Sequence, residues 1–129
     1  MNSTALPTMY EALGGVGAVR ALVNRFYDIM DGDPALAPLR AMHAADLSPM
    51  RDKLTDWMTA FLGGPQHYFE RPDAVCFSAA HSGLAIDASI RDQWLDCMYR
   101  ALTDTGVPAA VRERLRPPLA ELANFLRNR

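Results

Sequence analysis

The stretch Val16-Gly-Ala-Val-Arg-Ala-Leu-Val-Asn-Arg-Phe-Tyr-Asp-Ile-Met30 carries its large apolar side chains at Val19, Leu22, Val23, Phe26, Tyr27 and Met30. Steps of three and four put all six on one stripe of a helix, and alternation with period two accounts for none of them. Punctuation follows on both sides. Upstream, Thr8-Met9-Tyr10-Glu11 has the form of a capping box that opens a short first helix, which Gly14-Gly15 stops. Downstream, Asp31-Gly32-Asp33-Pro34 breaks the stripe, and a short turn of helix around Ala35–Met42 follows.

The helical period continues to the end of the chain. Asp46 or Ser48 suits the cap of the next helix and Pro49 its first turn. Met50, Leu54, Trp57, Met58, Phe61 and Leu62 then share a face until Gly63-Gly64-Pro65 ends it. Residues 65–80 are the least periodic, which predicts a loop leading into a short helix that carries His81. Asp87 caps a strong helix with Ile90, Trp94, Cys97, Met98 and Ala101 inward, closed by Thr105-Gly106-Val107-Pro108. Val111, Leu115, Leu119, Leu122 and Leu126 line one side of the last helix, and Pro117-Pro118 is expected to kink it or reset its start. The expectation is an all-α chain forming one domain over residues 1–129, with 1–8 as a flexible N-terminal segment. The short elements around 35–42 and 72–82 are weakly amphipathic and lie between long connections. In so small a helical domain such connections mean function or an organising ligand, so the pattern leaves room for a cofactor without demanding one.

Composition narrows the classes. Of 129 residues half are hydrophobic, enough for one core, and the net charge of −2 comes from acids and bases that are interspersed. No arm or face is basic enough for nucleic acid, and no acidic tail is present. Apolar runs are only a few residues long, too short to span a membrane, and residues 1–15 lack the charged start and apolar block of a secretory signal. Two cysteines, Cys76 and Cys97, are too few to staple a scaffold and too far apart for a zinc clip, so reduced thiols in a cytoplasmic protein are expected. The three histidines, His43, His67 and His81, have no Cys, Asp or Glu cluster around them at zinc-ligand spacing. A phosphate-binding glycine loop and a Gly-x-Ser-x-Gly elbow are both missing from the sequence.

Taken singly, the remaining residues have ordinary readings. Tyr27, Trp57, Phe61 and Trp94 read as core aromatics, His81 as a helix-end histidine, His43 and His67 as loop histidines, and Lys53 as a solvated lysine. Taken in order they carry more. Tyr10-Glu-Ala-Leu-Gly-Gly15, Asn24-Arg-Phe-Tyr-Asp-Ile-Met-Asp31, Asp33-Pro34, His43-Ala-Ala-Asp-Leu47 and the helix closing in Gly63-Gly64-Pro65 are followed by His81. Thirteen residues after His81 comes Trp94, inside Arg91-Asp-Gln-Trp-Leu-Asp-Cys-Met98. This ordered set resembles the truncated haemoglobins from about Tyr10 to Leu102, and its last block resembles their group II branch.

The resemblance implies a two-over-two helical sandwich around haem b. His81 would be the proximal ligand of the iron, leaving the opposite axial position open for O2, CO or NO. His67 competes for that role, but its place after Gly-Gly-Pro fits a solvated loop. Tyr27 matches the family's pocket tyrosine, Trp94 the tryptophan that marks group II, and His43 a position held by Phe, Tyr or His. Together these three would stabilise a bound ligand. Met50 and Leu54 would line the distal cavity, Met50 being bulkier than the small residue expected there, which narrows or reroutes access. Lys53 would reach a haem propionate, and Trp57 and Phe61 would touch the haem. Two departures leave propionate anchoring open: Ala80 stands where a basic residue often precedes the ligand histidine, and Leu84 where an aromatic often follows it.

Three functions are compatible with these residues. The first is a gas-binding globin with slow release of O2. The second is a haem redox enzyme, oxidising NO or acting as a peroxidase, supplied by an external reductase. The third is a cofactor-free helical interaction module in which the aromatics are simply core. Monomer and homodimer are equally compatible with the sequence.

Overall fold

The computed structural model describes residues 7–72, 74 and 81–129. The short helix expected before His81, together with Ala80, Cys76 and residues 1–6, lies outside the described residues. Among those described, six α-helices and two 3-10 turns account for the regular structure, with no strand.

Thr8 opens α1 (Met9–Leu13) through the expected reciprocal box: its hydroxyl accepts the Glu11 N–H at 3.1 Å and the Glu11 carboxylate accepts the Thr8 N–H at 3.0 Å. Gly14 and Gly15 turn the chain at φ +124° and +84°, and α2 (Val16–Gly32) begins at once. Every residue of the predicted α2 stripe is buried, with Ile29 beside it. Asp33 stops α2 and caps a 3-10 turn, Pro34–Leu36, by accepting the Ala35 N–H at 2.9 Å, and α3 (Ala37–Arg40) follows.

Helix α4 spans Ser48–Phe61. Neither expected cap is the N-cap residue, which is Leu47: Asp46 stands one position earlier and accepts the Ser48 N–H at 3.0 Å, and Ser48 is already inside the first turn. The apolar face of α4 divides. Met58 and Leu62 are buried in the core together with Thr55 and Thr59, whose hydroxyls donate to the Arg51 and Thr55 carbonyls at 2.7 Å. Met50, Leu54, Trp57 and Phe61 are only half-buried. Gly63 takes φ +92°, and a Cβ at Gly64 would stand 2.6 Å from the Tyr10 ring, so Gly-Gly-Pro here also docks α1. The 3-10 turn His67–Glu70 is held against α4 by a 2.6 Å ion pair between Arg71 and Asp56.

Asp87 caps α5 (Ala88–Asp104) by accepting the Ile90 N–H at 2.9 Å. Helix α6 runs unbroken over Ala109–Leu126, so Pro117-Pro118 does not reset its start. The two prolines remove the N–H groups that would bond the Glu113 and Arg114 carbonyls. Glu113, Arg114 and Pro117 are exposed, so water can take those bonds, while Leu115 and Leu119 hold the other face at 1% exposure.

The helices pack as two pairs, α2 with α4 and α5 with α6, with α2 also lying along α5. The α2–α5 seam is close: the fully buried Cys97 thiol donates to the Phe26 carbonyl at 3.1 Å. Burying each large side chain of this core contributes about 1.5–3 kcal/mol. The ion pairs around it, such as Arg25–Asp104 and Arg20–Asp52, are solvent-exposed and add little.

Candidate functional site

The half-buried face of α4 looks onto a cavity of about 510 Å³. Helix α2 supplies Phe26 and Tyr27 to its wall, and α3 with the turn after it supplies Leu39, Met42 and His43. From α4 come Met50, Lys53, Leu54 and Trp57, and from the 3-10 turn Tyr68. The rest of the lining is His81, Leu84 and Ile86, with Ile90, Arg91 and Trp94 on α5 and Leu122, Ala123 and Leu126 on α6. Leu122 and Leu126, expected as core of the last helix, therefore face this space. Phe61 does not reach it: its ring stacks on Trp57 with centroids 5.0 Å apart and supports the wall from behind. His67 sits on the exposed loop beside Glu70.

Three polar groups gather on one side. Tyr27 is only 2% exposed, yet its hydroxyl has no hydrogen-bond partner among the described residues. Burial pushes its phenol far above the usual value, with a small opposing pull from the Arg51 guanidinium, so it stays a donor. Trp94 meets Phe26 edge-on at 5.8 Å, and its indole N–H likewise has no partner among the described residues. His43 packs against Tyr27 and donates Nδ1–H to the Leu39 carbonyl at 3.0 Å, which leaves Nε2 as the bare nitrogen. Burial lowers the His43 pKa, the Leu39 contact opposes this, and Arg40 and His81 lower it further, so the ring is neutral.

Two cations border the otherwise apolar walls. Lys53 approaches from α4, and Arg91 from α5, where it bonds Asp92 at 3.0 Å and Asn124 at 3.1 Å. Among the described residues no group of three or more His, Cys, Asp or Glu could hold a bare metal ion. An apolar slot lined by two imidazoles, His43 and His81, and bordered by cations suits a metal that brings its own planar ligand and acidic arms. The cavity residues thus fit a haem.

The model of the bacterial-like globin family matches residues 8–128. This chain is a truncated haemoglobin. The group 2 truncated haemoglobin YjbI of Bacillus subtilis is 32% identical over 106 residues, covering 82% of this chain and 77% of that protein. Among solved structures, the group II 2-on-2 haemoglobin of Agrobacterium tumefaciens superimposes with a TM-score of 0.89 at 41% identity, covering 99% of this chain and 98% of that one. The truncated oxygen-avid haemoglobin of Bacillus subtilis gives a TM-score of 0.83 at 30% identity, covering 95% of this chain and 100% of that one. The truncated haemoglobin belongs to the group II branch, its α2/α4 and α5/α6 pairs are the two-over-two sandwich, and its cofactor is haem b. It is a globin that binds O2 and other diatomic ligands, and the cofactor-free module falls away.

Several wall residues of this globin, among them Leu39, Met42, Tyr68, Ile86 and Ala123, had no signal in the sequence beyond their type, and Arg91 had none of its own. Arg91 stands ten residues after His81, inside the block that carries Trp94. The missing basic residue at position 80 could have prompted a search there for another cation. No helix among the described residues is long and apolar enough to cross a membrane.

Proposed function

We propose that His81 is the proximal ligand of the haem and that Tyr27, Trp94 and His43 retain the gas on the opposite side. The observation that carries this is Tyr27, a residue only 2% exposed whose hydroxyl bonds no described residue, in a cavity wall it shares with Trp94 and His43. A buried phenol ordinarily finds a partner, and no buried side-chain polar atom among the described residues is left unsatisfied, so the hydroxyl is open to the cavity rather than sealed in the core. A ligand that accepts hydrogen bonds would supply its partner.

Haem iron, when bound, supplies an open coordination position for a diatomic gas. The chain does the rest. Tyr27 and Trp94 offer O–H and N–H donors to the side of the gas that gains negative charge. His43 Nε2, kept bare by the Leu39 contact, can accept a proton or the Tyr27 hydrogen but cannot itself donate while neutral. Phe26, Met50 and Leu54 keep bulk water away from these donors, which strengthens each bond. Lys53 and Arg91 would pair with the propionates, a role in which the cation from α5 replaces the basic residue missing at position 80.

Two donors at about 1.5–3 kcal/mol each toward a partly charged acceptor would slow release of O2 by some orders of magnitude, and the likeness to a haemoglobin described as oxygen-avid supports that direction. The same reading assigns reduction of the iron to a separate reductase and the protein to the cytoplasm, in keeping with Cys97 as a free buried thiol. The test is the absorption spectrum of ferric, ferrous and CO-bound protein in wild type and His81→Gly. Loss of the imidazole-ligated ferrous spectrum, restored by added imidazole, is the expected result. An unaltered spectrum in His81→Gly removes the assignment.

A further inference from the structure

The chain just past His81 is held by residues that lie beyond α6. The Leu84 N–H donates to the His81 carbonyl at 3.1 Å and closes a turn. Asn128 then grips that turn and its continuation. Its Nδ2 donates to the Leu84 carbonyl at 2.7 Å, its Oδ1 accepts the Ile86 N–H at 2.9 Å, and its backbone N–H donates to the Ile86 carbonyl at 2.8 Å. The Arg129 N–H shares the Ile86 carbonyl at 3.1 Å. A primary amide carries a donor and an acceptor on one rigid plane, so it can pair with a peptide edge as another strand would.

The grip falls at a telling place. Leu84 and Ile86 line the same cavity as His81, and so do Leu122 and Leu126 on the helix that leads to Asn128. The amide therefore joins the wall that bears His81 to the helix forming the floor beside it.

We infer that Asn128 is a positioning residue for His81, fixing the tilt and reach of its imidazole through the 84–86 segment. The inference rests on the reading of His81 as proximal ligand. It predicts that the strength of the iron–imidazole bond, and with it retention of the pigment, depends on an amide 47 positions away in sequence.

The experiment uses ferrous holoprotein and reads the iron–imidazole stretching band by resonance Raman, with haem transfer to excess apomyoglobin as a second measurement. Asn128→Ala is expected to move the band to lower frequency and to release haem roughly tenfold faster, the size set by losing about two hydrogen bonds. Asn128→Asp keeps the acceptor for Ile86 but loses the donor to Leu84, and should fall between the two. A band unmoved in both variants overturns the inference, even if their melting temperatures drop. His81→Gly separates the two layers. If that variant loses the band while the Asn128 variants keep it, the clamp fails and the proximal assignment stands. If His81→Gly keeps the band, the assignment itself fails and the clamp with it.

Discussion

Tyr27 and His43 meet edge to face, with ring centroids 5.9 Å apart and planes at 79°. The contact ties a residue of α2 to the turn after α3 and fixes where the phenol can point. Phe26 closes on Tyr27 from the neighbouring position at 5.0 Å, again edge to face, so the ring is held on two sides while its hydroxyl stays unpaired.

Tyr27→Phe therefore keeps both ring contacts and removes only the donor. Stability should change by less than about 1 kcal/mol, whereas O2 dissociation should accelerate by about 10- to 100-fold. Stopped-flow displacement of O2 by CO measures this, and an unchanged rate would show that the hydroxyl does not hold the gas. Trp94→Phe should shift the rate in the same direction, and the double variant should be non-additive because both groups serve one ligand.

His43 gives the fold a pH dependence with a definite sign. Its folded-state pKa is held below 6.5, chiefly by burial, while in the unfolded chain it returns to that value. Between the two the unfolded chain binds a proton that the folded chain refuses. Its contribution is complete above about pH 6.5 and is lost as the pH falls through the depressed value. Thermal unfolding from pH 7.5 to pH 5 should show a steeper loss in wild type than in His43→Phe. Parallel curves for the two proteins would remove His43 from the account.

Gly64→Ala should destabilise by about 1–3 kcal/mol, because its Cβ would stand 2.6 Å from the Tyr10 ring and either α1 or the Gly-Gly-Pro corner must shift. Tyr10→Ala makes room for that Cβ. Chemical denaturation of the four members of the cycle should then show Gly64→Ala costing far less in the Tyr10→Ala background. Equal costs in both backgrounds would locate the penalty elsewhere.

Burial pushes the Cys97 thiol up to about 12, and its hydrogen goes to the Phe26 carbonyl. With the thiolate scarce at neutral pH, reagents that attack through it should be slow. In a Cys76→Ser background, a disulfide-exchange reagent at pH 8 should label Cys97 only as fast as the protein unfolds. Prompt stoichiometric labelling of the folded protein would contradict the buried placement.

What the sequence disclosed is what local rules determine. The α2 stripe, the Thr8–Glu11 box and the Asp87 cap each depend on residues within a few positions, so spacing alone found them. The His81, Tyr27 and Trp94 set came from the order of family blocks, since nothing in an isolated tyrosine or tryptophan separates pocket from core. Phe61 stands outside the cavity lining while Trp57, stacked on it, is part of that lining, because a helical face is wider than a cavity. Arg91, Tyr68 and Asn128 come to their places through packing over long sequence separations, which periodicity does not encode. The continuity of α6 through Pro117-Pro118 was open in the sequence for a related reason: whether a helix survives proline depends on which face turns to water.

The cavity's walls come from α2, α4, α5, α6 and the 81–86 segment at once, so the molecule seated there is the keystone of the arch. The melting temperature of the holoprotein then depends on the amount of free haem, because binding adds about 4 kcal/mol of stability at a thousandfold excess over its dissociation constant. A cell short of iron would meet this constraint as a loss of durable protein before it met it as a loss of colour.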